Sequence, residues 1–356
     1  MRRFLAIAKG LVVGGVAVMS PRAFAGEARA LVVVYDGWGT PAGFALSGRV
    51  LEDQGARAPD AAASESDNLV DNLKALESDE VRDAEVRVTV GGASYTATTD
   101  ADGVFRVQVK GLPTSQALRA GELEVKVELV APAKLKGSVG RGRLYVHDGP
   151  VVGVVSDVDD TVVKTWVTDK SKLVDAVLLK NSRQLEPVVG AAAAYRKARE
   201  RGARAFFYLS GSPQNFYLRI QDYLATQGFP PGPLLLKNLG EDKLTQQEGY
   251  KAARLEALLE SLPQLRVVLV GDSGEKDPEI YAALRKKHPE RVLGVVIRKT
   301  PNSDASPARF VGMTVVDDAY ADEAAVADLL ARPAAGVPGG HGATSPSGTS
   351  EKPPSP

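Results

Sequence analysis

The chain of 356 residues is long enough for two domains, and its apolar content of 44% is ample for a buried core in each. Lys plus Arg and Asp plus Glu both number 44, so the net charge is zero and gives no reason to expect a nucleic acid as partner. The absence of Cys excludes disulfides and lipoprotein anchoring, and with three His in all it argues against a zinc site.

The first 25 residues have the three parts of a secretory signal peptide. Arg2-Arg3 precede an apolar run that ends near Met19, and the small-residue pattern A-F-A follows at 23–25. We therefore expect cleavage after Ala25 and an exported mature protein, in the periplasm or outside the cell. The alternative is an uncleaved anchor, but Lys9 interrupts the run and leaves it short for a membrane span.

Residues 28–148 carry short alternating apolar runs, which are typical of β-strands. Turn-forming pairs such as Asp102-Gly103 separate them. The pattern predicts an antiparallel β-sandwich, which resembles immunoglobulin-like or prealbumin-like accessory domains. The predicted strands are LVVVY (31–35), FALSGRV (44–50), EVRVTV (85–90), SYTATT (94–99), VFRVQV (104–109), LEVKVELV (123–130) and GRLYVH (142–147).

A polar insert, residues 52–83, separates the second and third of these strands. Eleven acids and three bases lie between Glu52 and Glu85, which predicts a solvated stretch. One short helix is predicted in it, from Asn68 to Glu77. No catalytic constellation is evident anywhere in this half.

From 150 to about 330 the predicted strands alternate with helices, which is typical of an α/β domain with a doubly wound parallel sheet. The run VVGVVSDVDDT, Val151 to Thr161, begins it as a buried strand that stops at a cluster of acids. The elements that follow are helix 188–201, strand 203–209, helix 214–227, strand 233–237, helix 246–262, strand 265–270, helix 278–287 and strand 292–297. Residues 331–356, rich in Pro, Gly and Ser, are predicted to be a disordered tail.

Asp157, Asp159 and Thr161 form a D-x-D-x-T pattern directly after the first of these strands. The carboxyl ends of strands in an open parallel sheet are where ligands bind. Two carboxylates this close can act as nucleophile and proton donor, and a divalent cation such as Mg²⁺ would relieve their repulsion and neutralise a phosphate. The plainer interpretation is a solvated acidic turn.

Three later stretches bring polar residues to the same edge. Ser210 and Gly211 follow the second strand, where a hydroxyl and the amides of a helix amino terminus can hold phosphate oxygens. Asp272 and Asp277 follow the fourth strand and complete a cation site, although an acidic helix cap would explain Asp277 alone. Lys251 could reach inward from the preceding helix as a fixed positive charge, whereas most helical lysines face solvent.

The order of these residues resembles the haloacid dehalogenase superfamily of phosphatases. More narrowly, residues 150–300 resemble the catalytic domain of the App1-type phosphatidate phosphatase family. The sequence departs from that pattern at Tyr250, where a His is usual, and at Gly211, where a bulkier residue is common. The matching motifs are S-D-V-D-D-T (156–161), Y-L-S-G-S-P (208–213), G-F-P-P-G (228–232), Y-K (250–251) and L-V-G-D-S-G-E-K-D-P-E-I-Y (269–281).

This resemblance implies a Mg²⁺-dependent phosphatase acting on phosphatidate or a related lipid phosphomonoester. It implies that Asp157 attacks phosphorus to form an aspartyl-phosphate, while Asp159 protonates the leaving oxygen and then activates water. Thr161 would orient Asp159. The phosphoryl group would be held by Ser210, Gly211 and Lys251. The resemblance implies a metal site formed by Asp157, Asp272 and Asp277 together with the main-chain carbonyl of Asp159.

Other functions stay open at this point. The same fold could serve a phosphatase of a soluble phosphomonoester or a catalytically inactive binding protein. The string G-D-S-G at 271–274 also occurs around the nucleophile of trypsin-like proteases, but those enzymes are disulfide-bonded β-barrels with a catalytic His.

Residues 166–183 bear on the choice between a lipid and a soluble substrate. Their pattern predicts one apolar helical face made by Leu173, Val174, Val177 and Leu178. Basic residues flank it at Lys170, Lys172, Lys180 and Arg183. Such a segment could rest on a lipid surface as a peripheral membrane contact, although such a face more often packs on its own domain.

Overall fold

The computed structural model describes residues 29–330 except for 77–78, 113, 134, 138, 167–171, 173–174, 239–246, 302, 305, 318–319 and 321–323. The predicted signal peptide and the predicted carboxyl-terminal tail lie outside the described residues. Two sheets organise the described part of the chain, a mixed sheet before residue 147 and a parallel sheet after residue 150. None of the helices described is long and apolar enough to cross a bilayer.

The first sheet has the strand order β4-β3-β6-β8-β1-β2-β5, with β7 beside β1. Strand β1 pairs in parallel with β7 and β8, and the other neighbours are antiparallel. The end strands β4 and β5 lie against each other, so the sheet is nearly closed. The strands are β1 Arg29–Thr40, β2 Gly43–Glu52, β3 Glu85–Val90, β4 Ala93–Thr98, β5 Val104–Val109, β6 Gly121–Ala131, β7 Lys136–Gly137 and β8 Gly140–Val146.

All seven strands predicted in this half are confirmed, but the sheet is mixed and not purely antiparallel. The alternation of apolar residues fixes which face of a strand is buried, and it does not fix which strand lies beside it. One curved sheet therefore encloses a core of Val, Leu and Phe that two separate sheets were expected to share.

The polar insert contains helix α1, Glu65–Leu76, in place of the predicted helix from Asn68 to Glu77. Ser64 sets its earlier start, since the Ser64 hydroxyl accepts a hydrogen bond from the amide of Asp67 at 3.2 Å and donates to the Asp67 carboxylate at 2.8 Å. This arrangement satisfies amide groups that the first turn of a helix leaves without partners.

The second sheet has the order β11-β10-β9-β12-β13-β14, and all neighbours are parallel. Its strands are β9 Val151–Asp157, β10 Ala205–Pro213, β11 Leu234–Lys237, β12 Leu265–Asp272, β13 Val292–Arg298 and β14 Thr314–Val316. Its helices are α2 Ala191–Glu200, α3 Tyr217–Thr226, α4 Gln247–Ser261, α5 Asp277–Lys287 and α6 Ala325–Leu330. The sequence predicted all of these except the short β14 and α6.

Helices cover both faces of this parallel sheet, as the continuous apolar runs of its strands require. Val154 of β9 lies in a core with α2, α3 and α6, whereas the adjacent Val155 lies in a second core with α4 and α5. The chain moves outward from β9 to β10 and β11 and then crosses to β12, on the other side of β9. This reversal opens a crevice at the carboxyl ends of β9 and β12.

Strand β1 of the first sheet has two buried faces that belong to different cores. Val32 and Val34 point into the core of the first sheet, while Val33 and Tyr35 join the core that contains α2 and α3. The Tyr217 hydroxyl accepts a hydrogen bond from the Asp36 amide at 2.8 Å, and the Trp38 indole donates to Ser261 at 2.8 Å. The uninterrupted run LVVVY thus reflects burial on both sides.

Candidate active site

The loop after β9 places the D-x-D-x-T residues at the crevice. Asp157, the last residue of β9, is fully buried between β10 and β12. Asp160 adopts a positive φ of 55°, and its carboxylate accepts hydrogen bonds from the amides of Thr165 and Trp166 at 2.9 and 2.8 Å. Arg298, from the end of β13, donates to the main-chain oxygen of Asp160. These contacts fix the path of the chain around the two carboxylates.

Asp159 faces the carboxyl-terminal end of β10, where Ser210 lies at the same sheet edge as Asp157. Ser210 Oγ donates to Asp159 Oδ2 at 2.5 Å, and Ser212 Oγ donates to the same oxygen at 3.3 Å. Ser210 Oγ also accepts a hydrogen bond from the Ser212 amide at 2.9 Å, and Gly211 lies between the two serines. Burial raises the pKa of Asp159, and the hydrogen bond from Ser210 opposes that rise.

Lys251 is buried at the centre of the site rather than exposed on α4. Its Nζ lies 2.6 Å from Asp157 Oδ1, 2.7 Å from Glu275 Oε2 and 2.7 Å from Asp277 Oδ1. Burial alone would lower the pKa of Lys251, but these carboxylates outweigh it and the pKa is raised well above its usual value. Lys251 is therefore a permanent positive charge against the first aspartate.

The loop from β12 to α5 supplies the remaining acids. Asp272 Oδ1 accepts hydrogen bonds from the amides of Gly274 and Glu275 at 2.6 and 3.3 Å. Asp277 is tucked under the end of β12, because a Cβ on Gly271 would come within 2.4 Å of its Oδ2. Burial raises the pKa of Asp157, Asp272 and Asp277. One lysine among so many carboxylates leaves the site electrostatically unfavourable.

Two buried oxygens show how a cation fits here. Asp157 Oδ2 and Asp272 Oδ2 have no hydrogen-bond partner among the described residues, which is costly for a buried carboxylate. Oxygen atoms of Asp157, Glu275 and Asp277 lie within 4.8 Å of one another and could hold a metal ion. The donor set consists of hard carboxylate oxygens, which suits a divalent cation such as Mg²⁺. Asp159 is expected to contribute its main-chain carbonyl to such a site, and its side chain is bonded to Ser210.

Comparison with known proteins agrees with this arrangement. The sequence profile of the family described as phosphatidate phosphatase APP1, catalytic domain, matches residues 152–299. Residues 152–299, less than half of the chain, are thus similar to this family. This similarity supports a phosphoric monoester hydrolase. The matched residues include every residue of the site described above.

Two yeast relatives of the APP1 domain match the same half. Phosphatidate phosphatase APP1 of Saccharomyces cerevisiae is 30% identical over 156 residues, which is 43% of this chain and 26% of that protein. An uncharacterized protein of Schizosaccharomyces pombe is 26% identical over 165 residues, 44% of this chain and 27% of the relative. The chain thus spans about a quarter of the length of these relatives.

Solved structures resemble the chain weakly. A Parabacteroides merdae β-glucuronidase aligns with 77% of this chain and 34% of its own at 12% identity and a TM-score of 0.27. A Cellvibrio japonicus carbohydrate esterase aligns with 85% of this chain and 96% of its own at 12% identity and a TM-score of 0.22. Scores this low support no argument about fold or activity.

Glu275 is the site residue that the sequence reasoning missed. It lies in the APP1-type string G-D-S-G-E-K-D between the two aspartates that were chosen. The signal was available, because a loop that contributes two acids to a cation site can contribute a third. Thr161 is expected to orient Asp159. Its side chain is buried, but its hydroxyl has no hydrogen-bond partner among the described residues, so no bond to Asp159 is seen.

The apolar face expected on residues 166–183 is directed inward where the structure describes it. Leu178 is buried and Val177 packs against the core that contains α2 and α3. Leu173 and Val174 lie outside the described residues, as does Lys170. Arg183 forms an ion pair with Asp222 of α3 at 3.1 Å. Val177, Leu178 and Arg183 thus favour packing over contact with lipid.

Proposed function

We propose that this protein is a Mg²⁺-dependent phosphatase that works through an aspartyl-phosphate, with phosphatidate or a related lipid phosphomonoester as substrate. The observation that carries the proposal is Asp157, buried at the crevice with Oδ1 held by Lys251 and Oδ2 without a partner among the described residues. Such an oxygen is available to attack phosphorus or to bind a cation. The lipid substrate is supported by the APP1 relatives.

The proposed reaction uses two carboxylates in sequence. Asp157 attacks phosphorus, and the bond from phosphorus to the leaving oxygen breaks as the aspartyl-phosphate forms. Asp159, whose raised pKa favours a protonated carboxyl, gives its proton to the leaving oxygen. Asp159 then takes a proton from a water molecule that attacks phosphorus, which releases phosphate and restores Asp157.

The remaining side chains supply position and charge. Lys251 is placed to hold the transferring phosphoryl group beside Asp157, and Ser210 is placed to hold both that group and Asp159. When bound by Asp157, Asp272, Asp277 and Glu275, Mg²⁺ would neutralise negative charge on the phosphoryl group. The strand order and the D-x-D-x-T loop support a haloacid dehalogenase-like form of the doubly wound sheet.

We also propose that residues 28–148 are an accessory domain of immunoglobulin-like or prealbumin-like type and that 150–330 are the catalytic domain. The amino-terminal pattern supports export with cleavage after Ala25. Sequencing the amino terminus of protein recovered from the periplasm or medium tests the export proposal. A chain that stays in the cytoplasm with residues 1–25 attached would contradict it.

The test of the activity is phosphate release by residues 26–330, with and without Mg²⁺. Phosphatidate in mixed micelles and a soluble aryl phosphate serve as substrates, and Asp157→Asn serves as the matched variant. We expect Mg²⁺-dependent release from phosphatidate that falls by roughly 10³-fold or more in the variant, as losses of catalytic nucleophiles do. Release of phosphate from the aryl phosphate alone would contradict the proposal of a lipid substrate. No release from either, with the protein folded, would leave a binding protein on this fold.

A further inference from the structure

The strongest unexplained feature lies beside the active site, where one helical turn, Asp175–Leu179, follows the catalytic loop. A single turn of π-helix leaves its carbonyl groups without partners inside the turn. Here the carbonyls of 176–180 are each bonded by a side chain from elsewhere in the chain. The turn is therefore held in place from outside.

Helix α1 of the first half provides three of those five bonds. Asn72 Nδ2 donates to the carbonyl oxygens of Leu178 and Lys180 at 2.9 and 3.1 Å. Asn68 Nδ2 donates to Leu179 at 2.9 Å and to the side chain of Gln184 at 2.6 Å. Both asparagines are buried, and their spacing of four residues puts them on one face of the helix.

Arg219 of α3 provides the other two bonds and joins α1 to the site. Its guanidinium donates to the carbonyl oxygens of Ala176 and Val177, the latter at 2.7 Å, and lies 3.5 Å from Asn72 Oδ1. Burial lowers the pKa of Arg219 to about 10, although the charge of Asp159 opposes that shift. A cation at the end of a turn also complements the partial negative charge of the carbonyls there.

Helix α1 also contacts the residues that follow Ser210 at the end of β10. Asn215 Nδ2 donates to the carbonyl oxygen of Ala75, near the end of α1, at 2.9 Å. Before α1 in the insert, the carbonyl oxygens of Ala61 and Ala63 accept hydrogen bonds from Gln184 Nε2 at 3.2 and 2.9 Å. The insert therefore contacts both the segment 175–184 and the residues that follow Ser210.

We propose that α1 is a specificity element of the catalytic site, in which Asn68 and Asn72 act with Arg219 as positioning residues for the segment 175–184. This inference rests on the proposed phosphatase function. The segment follows the catalytic loop in the chain and is bonded by Arg219, which also senses the charge of Asp159. It is therefore suited to contact the part of the substrate beyond the phosphoryl group. Binding energy from such remote groups affects large substrates and not small ones.

The test compares Asn72→Asp with Val70→Ala in the chain of residues 26–330. Asn72→Asp keeps the shape of the side chain and removes both donors, while Val70 is 49% exposed on the same helix. Loss of one such bond corresponds to about a fivefold change in an equilibrium or rate. We expect kcat/KM for phosphatidate to fall by about fivefold or more through KM, with kcat/KM for the aryl phosphate within about twofold. Val70→Ala should change neither.

Hydrogen exchange of the backbone amides gives a readout that does not depend on turnover. Asn72→Asp should speed exchange in 175–184 and leave the strands of the second sheet unchanged. Equal losses on both substrates, or unchanged exchange in 175–184, would overturn the proposal and leave α1 as a structural support. If the wild-type chain hydrolyses neither substrate, the proposed function fails, and faster exchange must still appear in the variant for the positioning role to stand.

Discussion

Two buried polar regions, the catalytic edge and the contact of α1 with the segment 175–184, are built differently. At the catalytic edge, Lys251 faces three carboxylates, and two buried carboxylate oxygens have no partner among the described residues. Where α1 meets the segment 175–184, neutral amides meet carbonyl groups with each donor used. In the first region, carboxylate groups without partners are available for catalysis. In the second, directional hydrogen bonds hold a backbone segment in place.

The largest expected effect comes from removing the one lysine of the charged region. Lys251→Met leaves the buried Asp157 and Asp277 and the half-buried Glu275 without this counter-charge, so we expect the free energy of unfolding to fall by about 3–5 kcal/mol. Urea denaturation at pH 7.5 without divalent cations measures this. A variant as stable as the wild type would contradict the view of this region as charged, because the carboxylates would then be protonated and neutral.

Asp36 tests the effect of an ionisable group in the contact between the two halves. Burial raises its pKa to about 6, so the folded protein holds a proton that the unfolded chain releases near 3.8. Stability is therefore lost as pH rises from 4 through 6, and Asp36→Asn should be more stable by about 3 kcal/mol at pH 7.5. The advantage should shrink steadily toward pH 4 in paired thermal unfolding curves. A difference independent of pH would show that Asp36 does not titrate there.

A divalent cation should relieve the repulsion at the catalytic edge. At ten times its dissociation constant, Mg²⁺ should raise the free energy of unfolding by about 1.4 kcal/mol. Thermal unfolding with and without EDTA measures the gain. In Glu275→Gln the gain should be smaller if Glu275 is a ligand, and an undiminished gain would favour the four aspartates predicted from the sequence.

The smallest effect is expected in the neutral region. Asn68→Ala removes two donated bonds and should lower the free energy of unfolding by about 1 kcal/mol. Because Asn68 and its hydrogen-bond partners Leu179 and Gln184 are uncharged, the loss should be the same at pH 5 and pH 8 and in low and high salt. Urea denaturation under the four conditions measures it. A loss that depends on salt would mean that the region is coupled to the charges around Asp159.

Much of the catalytic half could be predicted because its signals are local. Each parallel strand is a continuous apolar run, and Asp157, Ser210 and Asp272 each follow one, so the shared sheet edge follows from the pattern. Lys251 could be assigned to the site only from the family resemblance, since nothing in its own helix distinguishes it from a surface lysine. The place of Glu275 in the site depends on a loop conformation, which the periodicity of apolar residues does not predict.

The first half shows where such reasoning fails. Its strands could be located from alternation, but the parallel pairing of β1 with β8 joins residues more than a hundred positions apart. The contacts of Asn68 and Asn72 likewise reach across more than a hundred residues. The sequence around an asparagine in a polar insert does not indicate which residue the side chain will bond. The contacts of α1 could therefore be found only from the structure.

Strand β1 bears on how this protein can be divided. Because Val33 and Tyr35 complete the core that holds α2 and α3, cutting the chain near residue 150 would open that core to water. The catalytic half expressed alone would expose an apolar strip and tend to aggregate. The intact chain should melt in one cooperative transition, with both sheets lost at the same temperature. The two halves are thus separate in sequence pattern and a single unit in folding.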